Sequence, residues 1–356
     1  MRILITGATG FVGQALCRSL SAAGHELAVV SRRPERAERQ FAELGITLKA
    51  ADSALMFKDW QPQGIVNLAG ESIAGRRWSE DHKQELRRSR LETTEHLVLL
   101  CQQLAAEGQA PQVMVSGSAM GYYGAQPKAG EPGDVEIDEQ ATPHDDFNHR
   151  LCRDWEAAAM PVSDCGVRLA IIRIGLVMEA DGGTLAKLLT PFKFGLGGRL
   201  GDGRHYMPWI HRHDLIRIIE RLLEDEDLSG AFNASAPHPV TNMGFTHALA
   251  RGLGRPAILP LPAKALKLGL GEMSTLLLEG ARMVPARLLA AGFTFDYPTL
   301  DVAFADILAA RTAAERSAPA MARRCLSLTE SPAERHAAAG EGWHSVPPRV
   351  HRSHHR

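Results

Sequence analysis

The residues best suited to chemistry stand at the very start of the chain. Thr6-Gly7-Ala8-Thr9-Gly10-Phe11-Val12-Gly13 follows an aliphatic strand at once and opens a helical stretch. In that context Gly7 permits a tight turn, Gly10 lets the backbone approach a diphosphate, and Gly13 allows close packing of helix on strand. The free N–H groups and positive dipole end of the helix start, over Thr9 to Val12, suit phosphate oxygens. An ordinary strand–helix turn seldom needs three glycines, so the spacing predicts a dinucleotide site. About twenty residues on, an NAD(H) site carries a carboxylate for the ribose 2′-hydroxyl. Here the second strand ends Val29-Val30-Ser31-Arg32-Arg33. Ser31 can donate to a 2′-phosphate, and the Arg32 guanidinium matches its oxygens, which favours NADP(H) over NAD(H). The plainer reading is two solvated arginines after a strand.

The elements that must position these residues follow from short aliphatic runs alternating with amphipathic stretches. Strands are predicted at 2–6, 26–30, 46–50, 64–68, 112–116 and 168–174. Helices are predicted at 11–23, 34–44 and about 79–106, with another through Glu156. Each strand run is nearly unbroken in apolar character, as expected when both faces are covered by helices. The alternation argues an α/β fold with a parallel, doubly wound sheet. Prolines punctuate short helical stretches beyond Ala234, so 234–305 reads as a smaller, mostly helical cap on a domain spanning 1–233.

Composition sets the class. The 356 residues are 45% hydrophobic and 23% charged, with 40 Lys+Arg against 41 Asp+Glu for a net charge of -1. That is a globular balance with no global field for nucleic acid or an anionic membrane. No apolar run approaches the roughly 18 residues of a spanning helix, and Met1 leads into a strand without a signal-peptide pattern. The five cysteines are widely spaced in no metal-ligand pattern, which suits a reducing, cytoplasmic setting. From Arg311 to Arg356 the chain carries eight Arg, no Lys, four Glu and no Asp, a local charge of +4. The segment 306–356 reads as a disordered tail by composition, with a nucleic-acid arm or metal binding by His351, His354 and His355 as the alternatives.

With the TGATGFVG turn in place, the chain resembles the short-chain dehydrogenase/reductase superfamily of the extended type. Asn67-Leu68-Ala69-Gly70 is similar to the segment that passes the cofactor, and Val115-Ser116-Gly117-Ser118 closes the fifth strand where that family carries its catalytic Ser or Thr. Arg173-Ile174-Gly175-Leu176-Val177 resembles the arginine-led strand beside the nicotinamide. The phrases NLAGESI, RRWSEDHKQELRRSRLETT, SGSAMGYYG, GLGGRLGDGRHYMPWIH and LLLEGARMVPARLLAAGF are closer to one branch, the atypical "epimerase family" proteins. The resemblance covers about residues 1–305. It implies a Rossmann domain with a C-terminal cap, and cofactor contacts at Leu68, Ala69, Gly70, Arg173 and Val177. It also places Arg90 where extended members carry an Asn near the cofactor. Arg90 can there reach a phosphate or ribose; the alternative is a solvated helix face shared with Arg87 and Arg88.

The resemblance breaks at the usual acid. The superfamily's Tyr-x-x-x-Lys pair uses the lysine charge to ready the tyrosine phenol for proton exchange. Asn148 and Cys152 occupy the matching places, and shifting by one residue gives Phe147 and Leu151. Ser118 remains an oxyanion-side hydroxyl or a satisfied turn serine. Tyr122, Tyr123, His149 and His211 are the candidate replacement acids, and Glu71 is a further polar group near the nicotinamide. The glycines around Arg199 and Arg204 either wrap an anionic substrate group or hinge a lid. Two functions follow. One is an NADP(H)-dependent oxidoreductase or epimerase-like enzyme acting on a small polar, free or nucleotide-linked substrate. The other is a non-catalytic NADP(H)-binding sensor or docking protein.

Overall fold

The computed structural model describes residues 1–317, and Met1–Leu308 forms one compact unit. The tail expected to carry the +4 charge lies mostly outside the described residues. Seven parallel strands make the central sheet: β1 (Arg2–Thr6), β2 (Glu26–Val30), β3 (Lys49–Ala51), β4 (Gly64–Asn67), β5 (Val113–Ala119), β6 (Arg168–Ile174) and β7 (Gly230–Ala234). Their spatial order is β7-β6-β5-β4-β1-β2-β3. The order reverses at β1, where the neighbours on its two sides are β2 and β4. Crevices at such a switch point, outside the carboxyl ends of the strands, are where ligands settle in open α/β sheets. This is the Rossmann-like, doubly wound arrangement the strand pattern predicted.

The unbroken apolar runs have their cause in two cores. Ile3, Ile5, Val66 and Val115 face α1 (Phe11–Ala22), α2 (Pro34–Glu43) and α6 (Arg212–Glu224). Alternate residues Leu4, Ile65 and Met114 face α3 (Glu80–Ala106) on the other side. Because successive side chains point to opposite faces, a strand covered twice must be apolar at every position. A third core joins α5 (Gly183–Lys193), α7 (Asn242–Leu253) and the start of the helix Leu300–Ser317 through Leu189, Phe245, Leu249 and Phe304. The region beyond β7 is helical, as expected, but between α7 and the helix Leu300–Ser317 its pieces are short: α8 is Ala263–Leu270, followed by Thr275–Leu278 and Ala286–Ala290. Among the described residues no helix is long and apolar enough to cross a membrane.

Strand boundaries differ from expectation by more than a residue at two places. The third strand begins at Lys49 rather than Ile46, because the Ile46 N–H bonds back to Phe41 O and ends α2. Ile46 is still buried, which is why its apolar character read as strand. The fifth strand runs on to Ala119, so Ser118 lies within the ladder and pairs in register with Arg173. Gly117, Ser118 and Ala119 lack the large apolar side chains that mark a strand, so pattern alone stops too early.

The first turn brings backbone against backbone. A Cβ on Gly13 would stand 2.3 Å from Gly7 O. Replacing Gly13 with Ala is expected to cost about 2–3 kcal/mol or prevent folding. Gly269 in α8 has nothing within 4 Å of a built Cβ, and Gly269→Ala should gain about 0.5–1 kcal/mol from helix propensity. Urea unfolding of the two variants checks both signs.

Candidate functional site

The register between β1 and β2 sets Thr6 beside Val30, so the turn at Gly7 and the Ser31–Arg33 segment leave adjacent strands at one edge. Gly7 has φ +73, and a Cβ there would meet Leu68 O at 2.6 Å. Gly10 N donates to Gly7 O at 3.0 Å and Gln14 Nε2 to Thr9 O at 2.9 Å, which fixes the loop. Gly10 is the N-cap of α1, and no side chain caps the helix and no acidic residue stands in its first turn. The first N–H groups are therefore left for a ligand from outside, and the dipole end favours an anion. Thr9 and Gly10 are exposed. Phe11 wedges against Gly182, whose built Cβ would stand 2.4 Å from its ring, and under the Arg212 guanidinium at 4.8 Å. Val12 and Val177 pack partly buried on the core below.

At the end of β2, Ser31 N donates to Ala51 O, and Ser31 Oγ accepts from Arg33 N at 3.2 Å. The Ser31 hydroxyl proton stays free. Arg32 is exposed, with no side-chain partner among the described residues. On the other side of β1, Ala69 N donates to Thr6 Oγ1 at 3.2 Å. Asn67, fully buried, donates to Thr94 Oγ1 at 2.9 Å and Ser116 Oγ at 3.3 Å and accepts from Thr6 Oγ1 at 2.8 Å. These bonds tie β1, β4, β5 and α3 together beneath the exposed Gly70. Arg90 lies against Gly70, with Nη1 on Leu86 O at 2.8 Å and Nη2 on Glu71 O at 3.1 Å. Thus the structure brings Gly7, Thr9, Gly10, Phe11, Val12, Gly13, Ser31, Arg32, Leu68, Ala69, Gly70 and Arg90 to one edge of the sheet.

Arg173 is placed otherwise. It stands in a cross-strand row with Ser118 on β5 and Asn233 on β7. Its guanidinium is 4% exposed and clasps Glu156, from α4 (Phe147–Ala159), with Nε–Oε1 at 2.9 Å and Nη2–Oε2 at 3.0 Å. Nη1 also donates to the Tyr123 phenol and to Glu139 O. Burial opposes the Arg173 charge, but the Glu156 carboxylate outweighs it and raises the pKa. Expected beside a nicotinamide, this arginine spends most of its donors on the protein.

Ser118 is likewise 2% exposed, and its hydroxyl donates to Glu156 Oε1 at 2.6 Å. With that proton committed, the oxygen can only accept. Cys152, at the lysine position, is 5% exposed, and burial pushes its thiol up to about 12, so it is a neutral packing residue. Asn148, at the tyrosine position, has a buried Oδ1 without a hydrogen-bond partner.

The four replacement acids separate clearly. Tyr123 is fully buried, donates to Asn233 Oδ1 at 2.7 Å, and is pushed up to about 12, chiefly by burial. His211 is 3% exposed, stacks on Tyr297 at 3.8 Å, and is lowered to about 4 by burial although Asp306 lies 3.5 Å away. Both are structural. Tyr122 lays its ring 3.4 Å from the Arg173 guanidinium, and its phenol bonds to no described residue. His149 Nδ1 lies 2.5 Å from Tyr122 O. A carbonyl only accepts, so Nδ1 carries the proton and Nε2 is left as an acceptor. Glu71 contributes backbone groups, its N–H reaching Ser89 Oγ at 3.0 Å.

The glycine-rich loop is neither free nor hinged. Leu259 N bonds Gly197 O, Leu261 N bonds Arg199 O, and Gly201 N bonds Leu261 O, which stitches the loop to the segment before α8. Arg204 is taken by Ala129 O at 2.9 Å and faces Glu131 at 3.6 Å. The Glu279–Val284 segment crosses the sheet edge as a strap, with Ile137 N on Arg282 O and Val284 N on Ile137 O. Sequence reading missed Glu156 as the shared partner of Ser118 and Arg173; a lone carboxylate on an otherwise apolar helix face was the available signal.

Two outcomes follow. Glu156→Gln leaves a buried guanidinium without its counter-charge and should cost about 3–5 kcal/mol, against about 1–3 kcal/mol for Ser118→Ala; chemical unfolding ranks them. His205, like His211, is lowered to about 4 by burial. Unfolded chains take up these protons near pH 6.5, so stability should fall as pH drops from about 6.5 towards 4. The melting temperature of the wild type should follow that course, and a double His205→Gln, His211→Gln variant should show a shallower decline.

Comparison with known proteins agrees with the fold. The family described as NAD dependent epimerase/dehydratase matches residues 3–235, and a domain of unknown function, DUF1731, matches residues 261–307. Epimerase family protein SDR39U1 of Mus musculus is 37% identical over 313 residues, covering 87% of this chain and 100% of the relative. A crystal structure of human epimerase family protein SDR39U1 (isoform 2) with NADPH superposes with a TM-score of 0.74 at 35% identity, covering 86% of this chain and 99% of that one. UDP-N-acetylglucosamine 4-epimerase from Bacillus cereus, 16% identical with a TM-score of 0.65 over 86% of this chain and 98% of its own, shares the fold.

Proposed function

The chain belongs to the NAD dependent epimerase/dehydratase family, and from that premise we propose that it is an NADP(H)-dependent oxidoreductase or epimerase-like enzyme of the atypical short-chain type. The observation that carries the reading is the edge of β1 and β2: an uncapped helix start beside a serine and an unpaired arginine, with no carboxylate at the end of β2. Phe11, Val12 and Gly13 would offer backbone N–H groups to the diphosphate and Gly7, Thr9 and Gly10 would shape the turn around it, since side chains at the three glycines would fill or distort the cradle. Ser31 and Arg32 would hold the 2′-phosphate, whose charge and geometry suit a hydroxyl donor and a guanidinium fork. Leu68, Ala69, Gly70 and Val177 would flank the remainder. The human relative crystallised with NADPH supports the same choice of cofactor.

When bound, the nicotinamide supplies or takes a hydride. The chain's own part is to orient the substrate and hold a proton. Ser118 would accept a hydrogen bond from a substrate hydroxyl rather than stabilise an oxyanion, because Glu156 holds its proton. Tyr122 and His149 are the groups left to exchange a proton at this edge. The substrate class is a small polar carbonyl or alcohol, free or nucleotide-linked. The absent Tyr-x-x-x-Lys pair and the burial of Ser118 favour a second reading, an NADP(H)-occupied sensor without turnover.

Fluorescence titration separates the cofactor choice from its alternative. Arg32→Ala should weaken NADPH binding about tenfold or more, the worth of charge-assisted hydrogen bonds, and leave NADH unchanged. Equal affinities of the unaltered chain for NADPH and NADH would contradict the assignment. Oxidation of bound NADPH across a panel of carbonyl compounds, lost in Tyr122→Phe, would favour the enzyme; binding without any turnover would favour the sensor.

A further inference from the structure

We propose that Arg90 supplies from α3 the fixed positive charge that the Tyr-x-x-x-Lys arrangement places on α4, and that its guanidinium holds the nicotinamide-side ribose of the dinucleotide. The inference rests on the NADP(H) reading and deepens it. It begins with what α4 lacks. Cys152 is a buried neutral thiol, and the helix's own basic residues serve other ends: Arg150 is exposed and pairs with Asp145, and Arg153 is exposed and pairs with Asp154. No cation of α4 faces the sheet edge.

Arg90 reaches that place from the neighbouring helix. Its guanidinium lies 5.1 Å from the Trp155 ring, one turn beyond Cys152, and its charge acts on the Cys152 thiol. On its other side it fills the space over Gly70, where a Cβ would stand 3.0 Å from Cζ. Gly70 is exposed and follows Leu68, the residue against which the Gly7 turn is packed. The charge therefore sits at the same edge as the phosphate cradle, across β1 from Arg32.

The contrast with Arg173 makes the assignment. Arg173 is neutralised by a two-pronged contact with Glu156. Arg90 hydrogen-bonds only backbone carbonyls, of Leu86 and Glu71, and forms no ion pair among the described residues, the Glu71 carboxylate acting on its charge without pairing. Burial lowers its pKa, yet a guanidinium keeps its charge in proteins. A partly buried cation with no carboxylate in contact is costly unless something completes it. Two carbonyls aim the group and leave further N–H donors free. A planar fork of donors suits the paired hydroxyls of a ribose, as it suits other paired oxygens.

The test uses the full chain and three ligands: NADPH, NADH, and 2′,5′-ADP, which lacks the nicotinamide half. In Arg90→Met, NADPH and NADH should each bind about tenfold more weakly, while 2′,5′-ADP binds as before. Adding Cys152→Lys to that variant, which returns a cation to α4, should recover part of the loss. Unchanged NADPH affinity would overturn the proposal. So would an equal loss for 2′,5′-ADP, since the effect would then lie in the fold or the phosphate cradle. If Arg90→Met does not fold, Arg90→Gln retains an amide donor for a carbonyl partner and must meet the same three-ligand pattern. Failure of the unaltered chain to bind any of the three would instead overturn the NADP(H) reading itself.

Discussion

One carbonyl oxygen organises the nucleotide edge. Gly7 O accepts from Gly10 N and sits where a side chain on Gly13 would have to be, while Gly7 itself is pressed against Leu68 O. Three segments of backbone meet there with hydrogen atoms in place of side chains. The helix start is consequently bare, and its N–H groups point outward without a capping partner. Every later feature of the edge depends on this contact, because it fixes where β4, β1 and α1 end relative to one another.

A second constraint divides the edge into a closed half and an open half. The row Ser118–Arg173–Asn233 and the carboxylate of Glu156 form a buried polar chain, completed by Tyr123 and by backbone carbonyls. A buried ion pair gains little net stability over apolar packing, but removing one partner is severe, so such pairs fix geometry more than they add energy. Here the pair locks three strand ends to α4. The open half holds the groups with donors left over among the described residues: the α1 start, Arg32, Arg90 and the Tyr122 phenol. The proposed cofactor contacts lie in the open half.

The sequence made the sheet legible because both faces are covered. Unbroken runs such as Arg2–Thr6 and Arg168–Ile174 admit few other readings, and the three glycines after the first strand mark the turn. Ile46 misled because a buried residue closing a helix looks like the start of a strand. Ser118 and Arg173 were placed on the right strands but given outward roles, since motif position does not reveal which side chain faces which. Their partner Glu156 comes from a different element, and only the packing of α4 across β5 and β6 joins them. Tyr122 and Tyr123 are neighbours in sequence and opposite in fate: the Tyr123 phenol is bonded to Asn233, and the Tyr122 phenol bonds to no described residue. No local pattern distinguishes them.

A crystal structure of the full chain grown with NADPH tests the central claim most directly. The account predicts the diphosphate against the N–H groups of Phe11, Val12 and Gly13, with the 2′-phosphate between Ser31 and Arg32. A dinucleotide seated elsewhere, or an empty edge at saturating NADPH, would contradict it.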